Sequence, residues 1–89
     1  MTRIFKYTLA GNPGKQFMPV PLGATFLSVQ LQQGRTVMWF AVDPSDAVCG
    51  RTFQLIQTGD EVPDGLEYLG TLQYHEGQYV LHLFEDLNN

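Results

Sequence analysis

Residues 26–43 read as two strands on either side of Gln33-Gly34, and apolar and polar side chains alternate from Leu27 to Gln32. Such alternation is typical of β-strands, and two strands separated by two turn-forming residues predict a β-hairpin. Because a two-residue turn fixes the register, we expect Gln32 to pair with Arg35. One face of this hairpin is apolar and is expected to face a core: Leu27, Val29, Leu31, Met38, Phe40 and Val42.

The second face of the hairpin mixes apolar, polar and charged side chains. It holds the chain's single tryptophan, Trp39, among amide groups and a guanidinium. A face that meets only water rarely carries a tryptophan, and a core face rarely carries glutamine and arginine. The mixture favours a flat, polar, anionic ligand or a subunit interface. This face consists of Phe26, Ser28, Gln30, Gln32, Arg35, Val37, Trp39 and Ala41.

Strands are also expected on both sides of this hairpin. Residues Arg3–Leu9 are β-prone, and their alternation places Ile4 and Lys6 on one face and Phe5 and Tyr7 on the other. A short strand is expected over residues 16–18, and Pro19 and Pro21 stop it. After the hairpin, a break or a single helical turn is expected over residues 43–46. A strand over residues 51–58 and a loop over residues 59–65 follow.

A second hairpin is expected near the end of the chain, with Glu76-Gly77 as its turn. The tail, residues 86–89, is expected to fray. These segments predict a single all-β domain over residues 1–89, a small antiparallel β-barrel or two-layer sandwich of five to seven strands. The facing pairs of the second hairpin are Tyr74 with Tyr79, Leu72 with Leu81, Gly70 with Leu83, Thr71 with His82, Gln73 with Val80, and Leu69 with Phe84.

Composition narrows the possible partners. The net charge of −4 argues against binding of a nucleic acid polymer, which depends on many Lys and Arg contacts to phosphates. It leaves room for a small ligand with one or two phosphates. The single cysteine, Cys49, excludes an internal disulfide and is expected to be a structural thiol in a reducing cytosol. Neither a secretion signal nor a membrane span is visible in the sequence.

The sequence predicts a binding protein without catalytic residues, metal or cofactor. It has no nucleophile elbow, no paired histidines on a helix and no glycine-rich phosphate loop. The carboxylates cluster in expected loops and near the end of the chain, where they are interpreted as turn formers and solvated caps. His82 is expected to be a half-buried strand residue bonded to Thr71, with a ligand-binding role as the alternative.

Nine residues are candidates for ligand contact. Trp39 fits either an interface or stacking on a base. Four further candidates fit either solvated strand positions or phosphate contacts: Arg35, Arg51, Lys6 and Tyr7. The Thr58-Gly59 turn offers a hydroxyl and an amide that together can hold a phosphate oxygen. Thr71 and His82 complete the set.

The order of these pieces resembles that of a family of small, mostly uncharacterised tailed-phage proteins, and the resemblance covers almost the whole chain. The matching stretches are Ile4-Phe5-Lys6-Tyr7, Leu27-Ser28-Val29-Gln30, Trp39 with Val42-Asp43, Arg51-Thr52-Phe53, Thr58-Gly59, Tyr68-Leu69-Gly70-Thr71 and His82-Leu83-Phe84-Glu85.

The chain also resembles phage sponge proteins of the anti-CBASS type, which sequester cyclic nucleotide signals of bacterial immunity. This resemblance implies a viral immune-evasion protein in the cytoplasm of an infected bacterial host. It implies a homotetramer or homodimer that binds a cyclic dinucleotide such as 3′3′-cGAMP without cleaving it. Two alternatives stay open beside this resemblance: a protein–protein interaction module that acts on a host factor, and a minor structural or accessory phage protein.

Overall fold

The computed structural model describes residues 1–87 and folds them into two antiparallel β-sheets that pack as a sandwich. The expected all-β class is therefore confirmed, with an open sandwich in place of a closed barrel. The seven strands are β1 (Arg3–Leu9), β2 (Gly14–Pro21), β3 (Thr25–Gln32), β4 (Arg35–Val42), β5 (Val48–Gln57), β6 (Leu66–Tyr74) and β7 (Tyr79–Asp86).

The smaller sheet has the strand order β1-β4-β3, and the β3–β4 hairpin has the expected register. Gln32 pairs with Arg35. The two turn residues both have positive φ, 51° at Gln33 and 80° at Gly34, as a two-residue turn of the I′ type requires. The tight turn therefore sets the alignment of both strands.

The prediction of the core face of this hairpin is wrong at the end of β3 that lies away from the turn. The pairing of β3 with β4 shifts between Phe26 and Ser28, so Leu27 is an extra residue in β3. Such a bulge inverts the alternation beyond it. As a result Leu27 is 48% exposed, whereas Phe26 turns inward and contacts the Phe40 ring edge-on at 5.5 Å between centroids.

The larger sheet has the strand order β2-β5-β7-β6. Strand β2 is longer than the sequence predicts, because Pro19 and Pro21 lie within it instead of stopping it. An edge strand tolerates proline, since half of its backbone groups need no partner. Strand β5 likewise begins earlier than expected, at Val48. Residues 43–46 form a turn closed by a bond from Asp46 N to Asp43 O at 3.0 Å, not a helical turn.

The second hairpin confirms five of its six expected facing pairs. The pairing shifts between Tyr68 and Gly70, so Tyr68 and not Leu69 faces Phe84. The connection is longer than the expected two-residue turn, because β6 ends at Tyr74 and β7 begins at Tyr79. Asp86 belongs to β7 and is not frayed, while residues 88–89 lie outside the described residues.

The two sheets enclose a core that is centred on aromatic rings. The Phe40 ring is fully buried and meets Tyr7, Phe26 and Phe53 edge-on at 5.5 to 5.9 Å between centroids. A buried hydroxyl pair, Thr36 Oγ1 with Tyr74 Oη at 2.6 Å, links the two sheets. The other buried core residues are Leu9, Val20, Ala24, Met38, Val42, Phe53, Leu55, Leu72, Leu81 and Leu83.

An ion pair on the inner face of the large sheet joins Arg51 on β5 to Glu85 on β7. Arg51 Nε and Nη2 donate to the two carboxylate oxygens of Glu85 at 2.6 and 2.7 Å, and Nη1 donates to Ala24 O at 2.6 Å. The guanidinium lies over the Phe40 ring, 5.1 Å from its centroid. Glu85 is only 7% exposed, so its interpretation as a solvated cap is wrong. The hydrogen bonds to Glu85 raise the pKa of Arg51, which keeps the guanidinium charged.

We expect Arg51→Met to lower the free energy of unfolding by about 3 kcal/mol, because it leaves a carboxylate buried without its partner. Urea unfolding followed by tryptophan fluorescence measures this loss. The double variant Arg51→Met/Glu85→Leu should regain most of the lost stability, and Arg3→Met, at an exposed arginine, should change little. A double variant as unstable as the sum of its single variants would contradict this account.

Candidate functional site

The outer face of the small sheet gathers three of the nine candidate residues. Lys6 pairs directly with Trp39, and Arg35 follows on the same face beside Gln32. The alternation of the three strands, corrected for the bulge, defines this outer face. We call it the Trp39 face, and it consists of Ile4, Lys6, Thr8, Thr25, Ser28, Gln30, Gln32, Arg35, Val37, Trp39 and Ala41.

A hydrogen bond spans the Trp39 face from one edge strand to the other. Lys6 Nζ on β1 donates to Gln32 Oε1 on β3 at 3.0 Å. Lys6 is level with Trp39 and Gln32 is level with Arg35, so the bond crosses the central strand at the level of Val37. Val37 is only 2% exposed, although it points away from the core.

The charge of the Trp39 face is opposite to that of the whole chain. The face carries two cations, Lys6 and Arg35, and none of its residues is acidic, whereas the chain has a net charge of −4. Trp39 is partly exposed on this face, beside Lys6 and four residues along β4 from Arg35. A partly exposed indole, two cations and several amide or hydroxyl groups can stack on a flat ring, hold phosphate oxygens and bond to base edges.

Two other candidates lie inside the sandwich, away from this face. Tyr7 points inward, where its ring meets Phe40 edge-on at 5.6 Å and burial raises the pKa of its hydroxyl. Arg51 uses its guanidinium on Glu85 and on Ala24 O. Both residues therefore stabilise the core in this structure, and the structure does not place them beside Trp39.

The remaining candidates assemble on the outer face of the large sheet, on the opposite side of the sandwich. His82 bonds through Nδ1 to Thr71 Oγ1 at 2.9 Å and through Nε2 to Thr58 Oγ1 at 2.8 Å. Thr71 Oγ1 also meets Tyr68 Oη at 2.5 Å. The expected bond between His82 and Thr71 is present, and Gly59 follows Thr58 in the turn after β5 with a φ of 94°. We use the name His82 chain for the four side chains that these hydrogen bonds join: Thr58, Tyr68, Thr71 and His82.

Both ring nitrogens of His82 are occupied by hydroxyl groups, so the imidazole is held in one orientation. In its neutral form one nitrogen donates to a threonine and the other accepts from the second threonine. Aromatic rings lie on the same face, where Tyr68 packs edge-on to Phe84 at 5.6 Å and is 56% exposed. Tyr68 was not a candidate from the sequence, because the bulge at Leu69 that brings it next to Thr71 has no clear sequence signature.

Residues 1–87 contain no group of three or more His, Cys, Asp or Glu side chains placed to hold a metal ion. In the same part of the chain, no helix is long and apolar enough to cross a membrane.

One family model matches the chain over residues 1–89, and its description is a domain of unknown function, DUF7352. No curated protein and no solved structure matches the chain.

The His82 chain predicts unequal costs for removing its two threonines. We expect Thr71→Val, which removes two hydrogen bonds, to lower the free energy of unfolding by about 1 to 2 kcal/mol, and Thr58→Val by about half as much. Urea unfolding measures both. Thr25→Val, an exposed threonine on the other sheet, is the matched control and should change little. Equal effects of Thr71→Val and Thr25→Val would contradict the bonding described here.

Proposed function

The chain belongs to the DUF7352 family, whose function is unknown, and we propose that it binds a cyclic dinucleotide signal and sequesters it without cleavage. In this proposal it is a phage immune-evasion protein of the anti-CBASS type, acting as a homo-oligomer in the cytoplasm of an infected bacterium. The ligand is 3′3′-cGAMP or a related molecule. The observation that carries the proposal is the Trp39 face, which combines an indole with the two cations Lys6 and Arg35.

Each component of such a ligand has a complementary group on this face. A purine base stacks on Trp39, and a base–aromatic stack contributes about 1–3 kcal/mol. A phosphate accepts charge-assisted hydrogen bonds from Lys6 and Arg35. Gln30 and Gln32 offer amide groups that can both donate to and accept from base edges. The absence of carboxylates among the residues of this face also favours an anion, since none of them repels it.

Sequestration follows from the kind of groups on the Trp39 face. Hydrolysis of a phosphodiester generally requires metal ions or a placed acid and base, and the residues of this face supply a lysine, an arginine, amides and hydroxyls. Such groups bind an anion and leave it unchanged. Inhibition by this mechanism follows mass action, so it depends on the ratio of protein to signal and not on time.

A second candidate function is binding of a host protein, and the outer face of the large sheet favours it. Phe17 is 69% exposed on the edge strand β2, and its ring lies against Gly50 so closely that a Cβ there would collide with it. Tyr68 and Phe84 add further aromatic surface on the same sheet. Exposed aromatic groups next to hydroxyls are typical of protein interfaces.

We expect Trp39→Ala to weaken binding of 3′3′-cGAMP by about 1–3 kcal/mol, and Trp39→Phe to weaken it less, because a phenyl ring still stacks. Lys6→Met should lose a charge-assisted contact of about 1.5–3 kcal/mol. Isothermal titration calorimetry measures each value. Phe17→Ala, on the opposite side of the sandwich, is the control and should bind normally. Normal binding by both Trp39→Ala and Lys6→Met would rule out this face.

The fate of the ligand distinguishes the proposals. Incubation with cyclic dinucleotides, followed by heat denaturation and chromatography of the released material, should return intact ligand with or without EDTA. Linear nucleotide that accumulates with time would indicate an enzyme instead. If no ligand is retained while a host protein binds in a manner sensitive to Phe17→Ala, the second candidate would replace the first.

A further inference from the structure

The sandwich has four edge strands, and three of them carry features that prevent further strand pairing. Strand β2 contains Pro19 and Pro21, which lack the backbone N–H group. Strand β3 is bulged at Leu27 and strand β6 at Leu69, and a bulge bends an edge away from regular pairing. Strand β1 has neither a proline nor a bulge and pairs with β4 in unbroken register.

Each face of β1 also carries one exposed, large apolar side chain. Ile4 is 65% exposed on the outer face, and Phe5 is 37% exposed on the inner face. The regular edge ends just after Leu9, because the Gln16 amide binds the backbone of Ala10 at both its N–H and its C=O, at 2.7 and 2.8 Å. The segment left open to pairing is therefore β1 itself. An exposed, regular, apolar edge of this length is a template for another strand.

We propose that β1 of one copy pairs antiparallel with β1 of a second copy, so that two small sheets join into one six-stranded sheet. Antiparallel pairing of a strand with itself has two-fold symmetry, and the same surface serves both copies. This inference goes beyond the proposed function, because it assigns the subunit contact to one strand edge whether or not a ligand binds.

The sequence of β1 is complementary to itself in the register centred on Phe5. That register places Phe5 opposite Phe5, Ile4 opposite Lys6 and Arg3 opposite Tyr7. An aromatic pair then lies on the dyad, the lysine stem covers an isoleucine, and a guanidinium meets a phenol. No like charges face each other. Centring on Lys6 instead would place two ammonium groups opposite each other, which is unfavourable.

Pairing by this edge ends at two copies. Each copy brings one open edge, and the prolines and bulges protect its other edges. A two-fold contact that uses up the open edge of both partners is closed and cannot extend into a fibre. Among the edges of this chain, the best partner for β1 is therefore a second β1, and any larger oligomer requires a different contact.

The joined sheet would also bring the two Trp39 faces together, and this part rests on the proposed function. In the Phe5-centred register the Cα atoms of the two Lys6 residues lie about 8 Å apart, from the usual strand spacing and rise. A ligand with two bases and two phosphates has a matching pseudo-two-fold symmetry. We therefore expect one cyclic dinucleotide for every two chains.

Charge placed at the dyad tests the strand pairing directly. Light scattering of the wild-type protein at micromolar concentration, without ligand, should give the mass of two chains. Phe5→Lys and Phe5→Glu should each give the mass of one chain, because like charges then face each other. An equal mixture of these two variants should recover the mass of two chains. Leu27→Lys, at an exposed apolar residue on the bulged edge, is the matched control and should remain paired.

A wild-type monomer, a Phe5→Lys variant that keeps the mass of two chains, or pairing lost in Leu27→Lys would each overturn the proposal. If circular dichroism shows that the Phe5 variants do not fold, hydrogen exchange of the wild-type protein decides. Amides of residues 4–8 that become slower to exchange as concentration rises support the pairing, and unchanged rates overturn it.

Titration with 3′3′-cGAMP separates this inference from the proposed function. One ligand per two chains supports both. Dimers that bind no ligand leave the strand pairing standing and remove the proposed function. Monomers that bind one ligand each would support the proposed function and overturn the strand pairing.

Discussion

The guanidinium of Arg51 constrains how the two sheets lie on each other. Arg51 spans three parts of the fold: it binds Glu85 on the neighbouring strand β7, Ala24 at the entry to β3, and the face of the Phe40 ring on the opposite sheet. A charged pair in the core is costly to desolvate, and this cost is offset only when most of its hydrogen-bonding groups find partners in one geometry. The pair itself lies within the large sheet, and Arg51 reaches from it to the Phe40 ring on the small sheet. It favours one relative position of the two sheets among the many that a purely apolar core would tolerate.

Because the guanidinium of Arg51 is bonded inside the sandwich, the polar groups that a partner could contact lie on the two outer faces. These two faces differ in chemistry. One combines Trp39 with Lys6, Arg35 and amides. The other is built on a fixed histidine with hydroxyls and exposed aromatic rings. They lie on opposite sides of a molecule whose shortest extent is 16 Å, so the chain has two surfaces of different chemistry. The first suits an anion and the second an apolar or hydroxyl-rich partner.

The sequence predicted what depends on turns and alternation, and it missed what depends on single inserted residues. The Gln33-Gly34 turn determined the register of the first hairpin, and the register of Thr71 with His82 anticipated their bond. Leu27 was misplaced because a bulge inverts the alternation without leaving a compositional signal. Glu85 could have been found, since it shares the parity of Leu81 and Leu83 in β7 and so had to face the core. The Thr58 hydroxyl bonds to His82, a partner that the sequence does not indicate.

Under the proposed function, the bond between Lys6 and Gln32 would also affect which ligand the Trp39 face accepts. It crosses the sheet above Val37, whose side chain is shielded from water although it lies outside the core. An anion that draws Lys6 away removes this cover and wets the methyl groups, at a cost of about 25 cal/mol for each Å² exposed. A free phosphate ion has no apolar surface that could cover Val37 instead. A flat heterocycle does, so under the proposed function the shielded valine would favour a nucleotide over inorganic phosphate.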